Sequence, residues 1–207
     1  MAGRIAHAKE ASGVTILGDP NRTTMAEPRV PVPVLLVMAA FSRHAQVLAW
    51  AGEELERSLG PIALCSIPFA FTQTGYYEAS MGTGLRKQFL VFRDLISPDI
   101  LPDIKNQTIA LEAQLAIQQV FPEQRPLNLD PGLLSLGKFM LATTKDQAHR
   151  IYLSKGIYAE VTLRYQGGQF EPWPWTYADY RQPIVNAFLL EARQYYRQRL
   201  RETKNLG

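Results

Sequence analysis

Leu141 to Tyr165 reads LATTKDQAHRIYLSKGIYAEVTLRY, and its alternation decides what kind of fold this chain builds. Successive side chains of a strand point to opposite sides of a sheet, so apolar residues at every second position mark a strand with one buried face. A turn at Ser154, Lys155 and Gly156 folds the stretch into a hairpin. One face then gathers Ile151, Leu153, Ile157, Ala159, Val161 and Leu163. The other gathers Arg150, Tyr152, Tyr158, Glu160, Thr162 and Arg164, a row of charged and phenolic groups that makes a candidate site.

Upstream of this hairpin, strand and helix signals alternate. Val34 to Phe41 is a continuous apolar run, the pattern of a central strand buried on both faces. Ser42 stands where a helix cap belongs, Val47, Leu48, Ala51, Leu55 and Leu59 follow at helical spacing, and Gly60-Pro61 ends the helix. Strands are predicted over 62–71 and 85–95, separated by a loop holding Tyr76, Tyr77 and Met81. Ser97-Pro98 opens a second helix with Ile104, Thr108, Leu111, Leu115 and Gln118 on one face, and Phe121-Pro122 closes it. A fourth strand is predicted over 134–144. This order predicts an α+β fold, a ferredoxin-like βαββαβ sandwich with its helices on one face of an antiparallel sheet. The hairpin extends that sheet, and Val185, Phe188, Leu189, Ala192, Tyr195, Tyr196 and Leu200 form a final amphipathic helix.

The 207 residues, 46% apolar and 20% charged, suit one ordinary domain with a real core. A formal charge of +3 permits anionic ligands but lacks the dense basic stripe of an obligate nucleic-acid binder. Cys65 is the single cysteine, set in IALCSIPFAF without a CxxC neighbour, so an internal disulfide, a zinc finger and an iron–sulfur centre all lack their ligands. It reads as a buried thiol in a reducing compartment. Residues 1–29 contain no signal-peptide core, and the apolar run over 30–41 is too short and proline-interrupted to span a bilayer, so a cytoplasmic protein with no membrane partner is expected. Residues 1–24 offer no periodic apolar face and read as a disordered or non-native leader before a single domain over 25–207.

Each chemical signal has a structural competitor. Gly132 to Lys138, GLLSLGK, matches the start of a phosphate-binding P-loop but is followed by Phe139 where a magnesium-binding hydroxyl belongs. Thr144-Lys145-Asp146 lacks the spacer of a guanine-selecting element and reads as a strand end with Asp146 capping local N–H groups. Asn128 to Gly132, NLDPG, reads either as a rigid turn whose Asp130 carboxylate binds a metal or sugar hydroxyls or as an ordinary turn. With only three histidines, no metal ligand set declares itself and no cofactor is named. Arg150 and Glu160 face each other across the hairpin, either as a cross-strand ion pair or as a clamp for an anion. Trp173, Trp175, Tyr177 and Tyr180, in EPWPWTYADY, either pin a crossing segment to the core or stack bases.

GYYEASMG (75–82), NLDPG (128–132), LATTKD (141–146), HRIYL (149–153), GIYAEVTLRY (156–165) and WTYADY (175–180) together carry a resemblance. The chain resembles, from about Glu27 to Arg201, a bacterial family catalogued as a domain of unknown function whose members often carry the label "GTP-binding protein". The resemblance implies a small bacterial cytoplasmic protein and transfers no substrate or catalytic residue. The GTP label meets the two faults already noted at Phe139 and at the missing spacer of Thr144-Lys145-Asp146.

Two functions follow as expectations. In the first, the domain binds or acts on a phosphorylated small molecule or nucleotide. Lys138, Lys145, Arg150, Tyr152, Tyr158 and Arg164 contact the ligand, and Asp130, Asp146, His149 and Glu160 supply acid–base groups. In the second, the sheet face and the aromatic residues of 173–180 bind RNA. A non-catalytic interaction protein is the third reading. Convergence of these side chains in one cleft favours the first.

Overall fold

The apolar run at 34–41 becomes β1 (Val34–Ser42), with every residue buried, in the middle of a nine-stranded sheet. The computed structural model describes residues 27–205, so the expected leader at 1–24 lies outside the described residues. In chain order the elements after β1 are α1 (Ala45–Leu59), β2 (Ile62–Cys65), β3 (Phe69–Ala70), the single-turn α2 (Glu78–Met81), β4 (Arg86–Ile96) and α3 (Leu101–Ile117). There follow β5 (Asn128–Leu134), β6 (Lys138–Thr143), β7 (Ile151–Ser154), β8 (Ile157–Gln166), β9 (Gln169–Pro172) and α4 (Pro183–Asn205). The strands lie in the order β2-β4-β1-β5-β6-β8-β7, with β3 beside β4 and β9 beside β8, and every pairing is antiparallel.

Alternation along β1 sorts the core into two layers. Leu36, Met38 and Ala40 pack with Val47, Leu48, Ala51 and Leu55 of α1 and with Leu101, Ile104 and Leu115 of α3. Leu35, Val37 and Ala39 face the other way, toward Val185, Phe188, Leu189, Ala192 and Tyr196 of α4. The sheet is therefore covered by helices on both faces, and each helix buries one apolar stripe. Among the described residues no helix is long and apolar enough to cross a membrane.

Several sequence expectations are corrected. NLDPG is not a turn but the start of β5, between β1 and β6. Proline in a central strand removes a ladder donor, yet Pro131 lies one residue before the β5–β6 ladder begins at Gly132, so nothing is lost from that pairing. Gly132 leaves room for β6 that a side chain would fill, since a Cβ there would meet the Met140 carbonyl oxygen at 2.5 Å and the Phe139 ring at 2.7 Å. The strand expected over 134–144 is consequently the end of β5, a tight turn and β6.

The hairpin turns on two residues, Lys155 (φ 54°) and Gly156 (φ 78°), with Ser154 paired to Ile157. Positive φ at both central positions is the I′ geometry that matches strand twist. Its apolar face does not run unbroken: β6 pairs Phe139 with Leu163 and Met140 with Val161, so Thr162 is the extra residue of a bulge. The bulge sends Ile157 into the α1/α3 layer and Leu163 into the α4 layer. On edge strand β7, Ile151 and Leu153 stay exposed. The run 62–71 breaks at Ser66-Ile67-Pro68 into β2 and β3. Cys65, on the edge strand β2, is therefore exposed rather than buried, and its sulfur accepts a hydrogen bond from Gln88. At the end of β6 the local cap is Thr143, whose hydroxyl accepts from the Lys145 N–H at 3.2 Å, while Asp146 is exposed.

Candidate functional site

Beyond Gly132 and Leu141 the β5–β6 pairing stops while both strands continue, and a cleft of about 500 Å³ opens in the splay. Ala142 and Lys105 reach it from the α3 side, and Leu141 and Tyr180 from the α4 side. Its walls are the segment 71–77, the β6–β7 connection and the 3₁₀ turn Ala178–Arg181 that precedes α4.

The floor is built on a buried ion pair. Along β4, Lys87 occupies the parity of Phe89 and Val91, so a position patterned as apolar turns a cation inward at 2% exposure. Its ammonium bonds the Asp179 carboxylate at 2.5 Å and lies 4.0 Å from the Tyr180 ring centre, with Phe41, Phe71 and Phe89 within 5.7 Å. A desolvated charge needs a partner, and Asp179 together with the ring faces supplies it.

Beside this pair, α3 sends Lys105 from its buried face into the gap. Its ammonium donates to the Leu129 carbonyl at 2.8 Å and to Asp130 at 3.1 Å, while Asn128 donates to the other Asp130 oxygen at 2.7 Å. Arg125 bonds Asn128 and pairs with Glu112 at 3.0 Å, and Glu112 accepts the Leu129 N–H at 2.7 Å. Burial works to raise the Asp130 carboxyl, but the charges of Lys105 and Lys87 and the two hydrogen bonds outweigh it and hold the group below its ordinary value. Glu112 goes the other way, because its burial outweighs Lys105, the Leu129 N–H and Arg125.

The two shifts have opposite consequences for acid stability. A carboxyl held low in the fold contributes stability above its unfolded pKa of about 4, and that contribution is lost as pH falls through the folded value. A carboxyl held high contributes below its unfolded value and loses that contribution as pH rises through the folded one. Asp130→Asn should therefore flatten the fall in melting temperature below about pH 4, where the wild-type carboxylate takes up its proton. Melting curves from pH 7 to pH 2.5 check this, and parallel profiles for the two proteins would reject it.

The remaining wall hangs on Arg150. Its side chain is 1% exposed and spends three donors on the protein: Nε to Glu160 at 2.8 Å, one terminal nitrogen to the Lys145 carbonyl at 3.0 Å, the other to the Tyr177 hydroxyl at 2.6 Å. The pair with Glu160 is thus buried, where a cross-strand surface pair is ordinarily solvated. Arg150 ties β8, the β6–β7 connection and the segment before α4 into one wall. His149 Nε2 lies 3.1 Å from the same Glu160 oxygen, and its ring stacks on Trp175. At the mouth, Lys145 donates to the Tyr76 hydroxyl at 2.8 Å, which draws that phenol below its ordinary value. Among the described residues no carboxylate lies within ion-pair distance of Lys145.

Of the residues expected at the site, Asp130, Lys145, Arg150 and Glu160 line this cleft. His149 stands behind it, held through Glu160, and Asp146 is exposed beside it. Lys138 and Arg164 pair with each other at the far end of β6 and β8, where Arg164 bonds Glu171 and lies over Trp173. Tyr152 and Tyr158 contact each other edge to face on the hairpin, outside the cleft. Sequence reasoning missed Lys87, Lys105, Arg125 and Asp179. The signal for two of them was present as a cation at a buried position, Lys87 in the strand alternation and Lys105 one turn from Leu101 on the apolar face of α3.

Among the described residues no three His, Cys, Asp or Glu side chains are grouped to hold a metal ion. The GLLSLGK segment is a strand, a turn and a strand, where a P-loop joins a strand to a helix. No curated protein and no solved structure matches the chain. A family model does, over residues 32–196, which spans β1 through most of α4 and includes every residue that lines the cleft. The chain belongs to the family described as a domain of unknown function, DUF4416.

Proposed function

We propose that this protein binds a small phosphorylated molecule, a nucleotide being one member of that class, in the cleft between β5 and β6. The observation that carries the reading is the charge balance of the lining. Lys87, Lys105, Arg125, Lys145 and Arg150 face Asp130, Glu160 and Asp179, and Lys145 is the cation at the mouth without a carboxylate. A cleft walled by low-dielectric protein with an excess of positive charge concentrates anions, and its volume suits a metabolite. Tyr76, Tyr77 and Phe71 add aromatic surface for an apolar or ring-shaped part of the ligand. The RNA reading needs an open aromatic sheet face, and the helices over both faces favour the cleft instead.

The arrangement also supports reading β1 to β5 as a ferredoxin-like unit. Two helices on one face and the order β2-β4-β1-β5 correspond to a βαββαβ chain, with β6 to β9 and α4 added beside and behind it. On that reading the cleft lies at the seam between the unit and its addition.

Calorimetric titration with inorganic phosphate and a set of phosphorylated metabolites tests the function. Lys145→Ala should fold normally and lose about tenfold in affinity, the scale of one charge-assisted contact. Equal affinities for the two proteins, or no binding of any phosphorylated compound, would remove the proposal.

A further inference from the structure

Tyr180 is the one residue lining the cleft whose polar atom is buried without a hydrogen-bond partner among the described residues. The side chain is 3% exposed, and its ring is held between Phe89, Phe139 and the Lys87 ammonium. Native interiors rarely leave a hydroxyl unpaired, because the water it gave up is not replaced. Burial, followed by the charges of Asp179, Asp130 and Glu160, keeps the proton on this oxygen, so it remains a group that can both donate and accept.

The carboxylates around it are incompletely used as well. Asp179 receives Lys87 on Oδ2 and no side-chain donor on Oδ1 among the described residues. Asp130 receives one donor on each oxygen, and Glu160 Oε1 has only the 3.4 Å contact from Thr162. A carboxylate oxygen accepts about two hydrogen bonds. The floor therefore lacks donors, whereas at the mouth the Lys145 ammonium has no carboxylate and Arg125 gives only one terminal nitrogen, to Asn128 and Glu112, so donors there still want acceptors. A bare phosphate meets the second need and not the first.

We propose, resting on the phosphate-binding reading above, that the ligand is a phosphorylated sugar. Its phosphate lies at Lys145 and Arg125, and its hydroxyl groups donate to Asp130 and Asp179 and bond the Tyr180 hydroxyl. Sugar hydroxyls, which donate and accept at neighbouring positions of a compact ring, match a floor of carboxylates with one phenol among them. The same chemistry is presented by a free sugar phosphate and by the ribose phosphate of a nucleotide.

The experiment is calorimetry on the full chain with four probes, ethyl phosphate, ribose 5-phosphate, glucose 6-phosphate and adenosine 5′-monophosphate, using wild type and Tyr180→Phe. At least one free sugar phosphate should bind tenfold or more tighter than ethyl phosphate. Tyr180→Phe should erase most of that advantage and leave ethyl phosphate binding unchanged. The unliganded variant should melt at the wild-type temperature or above, because the hydroxyl it loses has no partner. If adenosine monophosphate shares the advantage of ribose 5-phosphate, the proposal stands and a nucleotide is a second source of the sugar. Binding of ethyl phosphate with no gain from either free sugar overturns the sugar proposal and leaves the phosphate reading intact. A gain for the nucleotide alone overturns it too, by assigning affinity to the base. Failure of all four probes overturns both, and a variant that melts several degrees lower shows that the hydroxyl already serves the fold, which also overturns it.

Discussion

Lys87→Met is expected to unfold about 6 to 20 °C below the wild type, the equivalent of roughly 3 to 5 kcal/mol for a domain of this size. The substitution keeps the length of the side chain and removes the cation. It leaves Asp179, 7% exposed, as a nearly buried carboxylate without its ion pair. The pair itself is another matter, since two desolvated charges recover in mutual attraction little more than they lose in hydration. The double variant Lys87→Met with Asp179→Leu should accordingly regain most of the lost stability, because the four rings around Lys87 are as well suited to a thioether as to an ammonium. Thermal unfolding of both variants checks the argument. A single variant as stable as the wild type would show that Asp179 finds water in the cleft. A double variant that remains as unstable as the single one would show that the pair contributes beyond its own neutralisation.

Gly132→Ala is the second large effect, about 2 to 3 kcal/mol or several degrees in melting temperature, at the upper end of what one added methyl costs in a close-packed interior. The reason is contact and not backbone conformation. The nearest atom a new Cβ would meet is a main-chain oxygen, that of Met140 at 2.5 Å, and a ladder partner cannot turn aside as a side chain can. The Phe139 ring at 2.7 Å closes the other direction. Relief would require β5 and β6 to separate where they are last paired, which widens the splay that forms the cleft. On the phosphate-binding proposal, affinity and stability should therefore fall together in this variant, a coupling that titration and melting measured on one preparation would reveal. A variant with unchanged melting temperature would show that the two strands separate freely.

The fold was legible where one period ran unbroken. β1, α1 and α3 are each announced by a single apolar pattern, and they lie near the bounds read from it. It was illegible where local chemistry and tertiary context disagree. Asp130-Pro131-Gly132 has the composition of a turn and lies in a central strand, because its proline falls outside one ladder and its glycine admits the neighbouring strand. The bulge at Thr162 leaves no mark on an alternating sequence, so the sorting of the hairpin faces was correct only on one side of it. The site was half legible for a related reason. Asp130, Lys145, Arg150 and Glu160 stand out as charges within strands or turns. Lys87 and Lys105 stand among apolar residues, where a cation reads as a break in the pattern until the carboxylate opposite it, distant in sequence, is known.

That distance governs when the cleft comes into being. Lys87 and Asp179 are separated by 92 positions, and the Tyr196 hydroxyl reaches back across 163 to the Pro33 carbonyl. Pairings of this span make folding slower than that of a helical bundle of equal length, because the loops must close before the contacts return anything. Synthesis proceeds from the N-terminus, so a chain that has left the ribosome only as far as β8 already carries Lys87 but has no partner for it. Residues 177–181 and α4, which emerge after it, neutralise that charge and cover the apolar face of the sheet. A shortened chain ending before the 3₁₀ turn therefore has neither the partner of Lys87 nor that wall of the cleft.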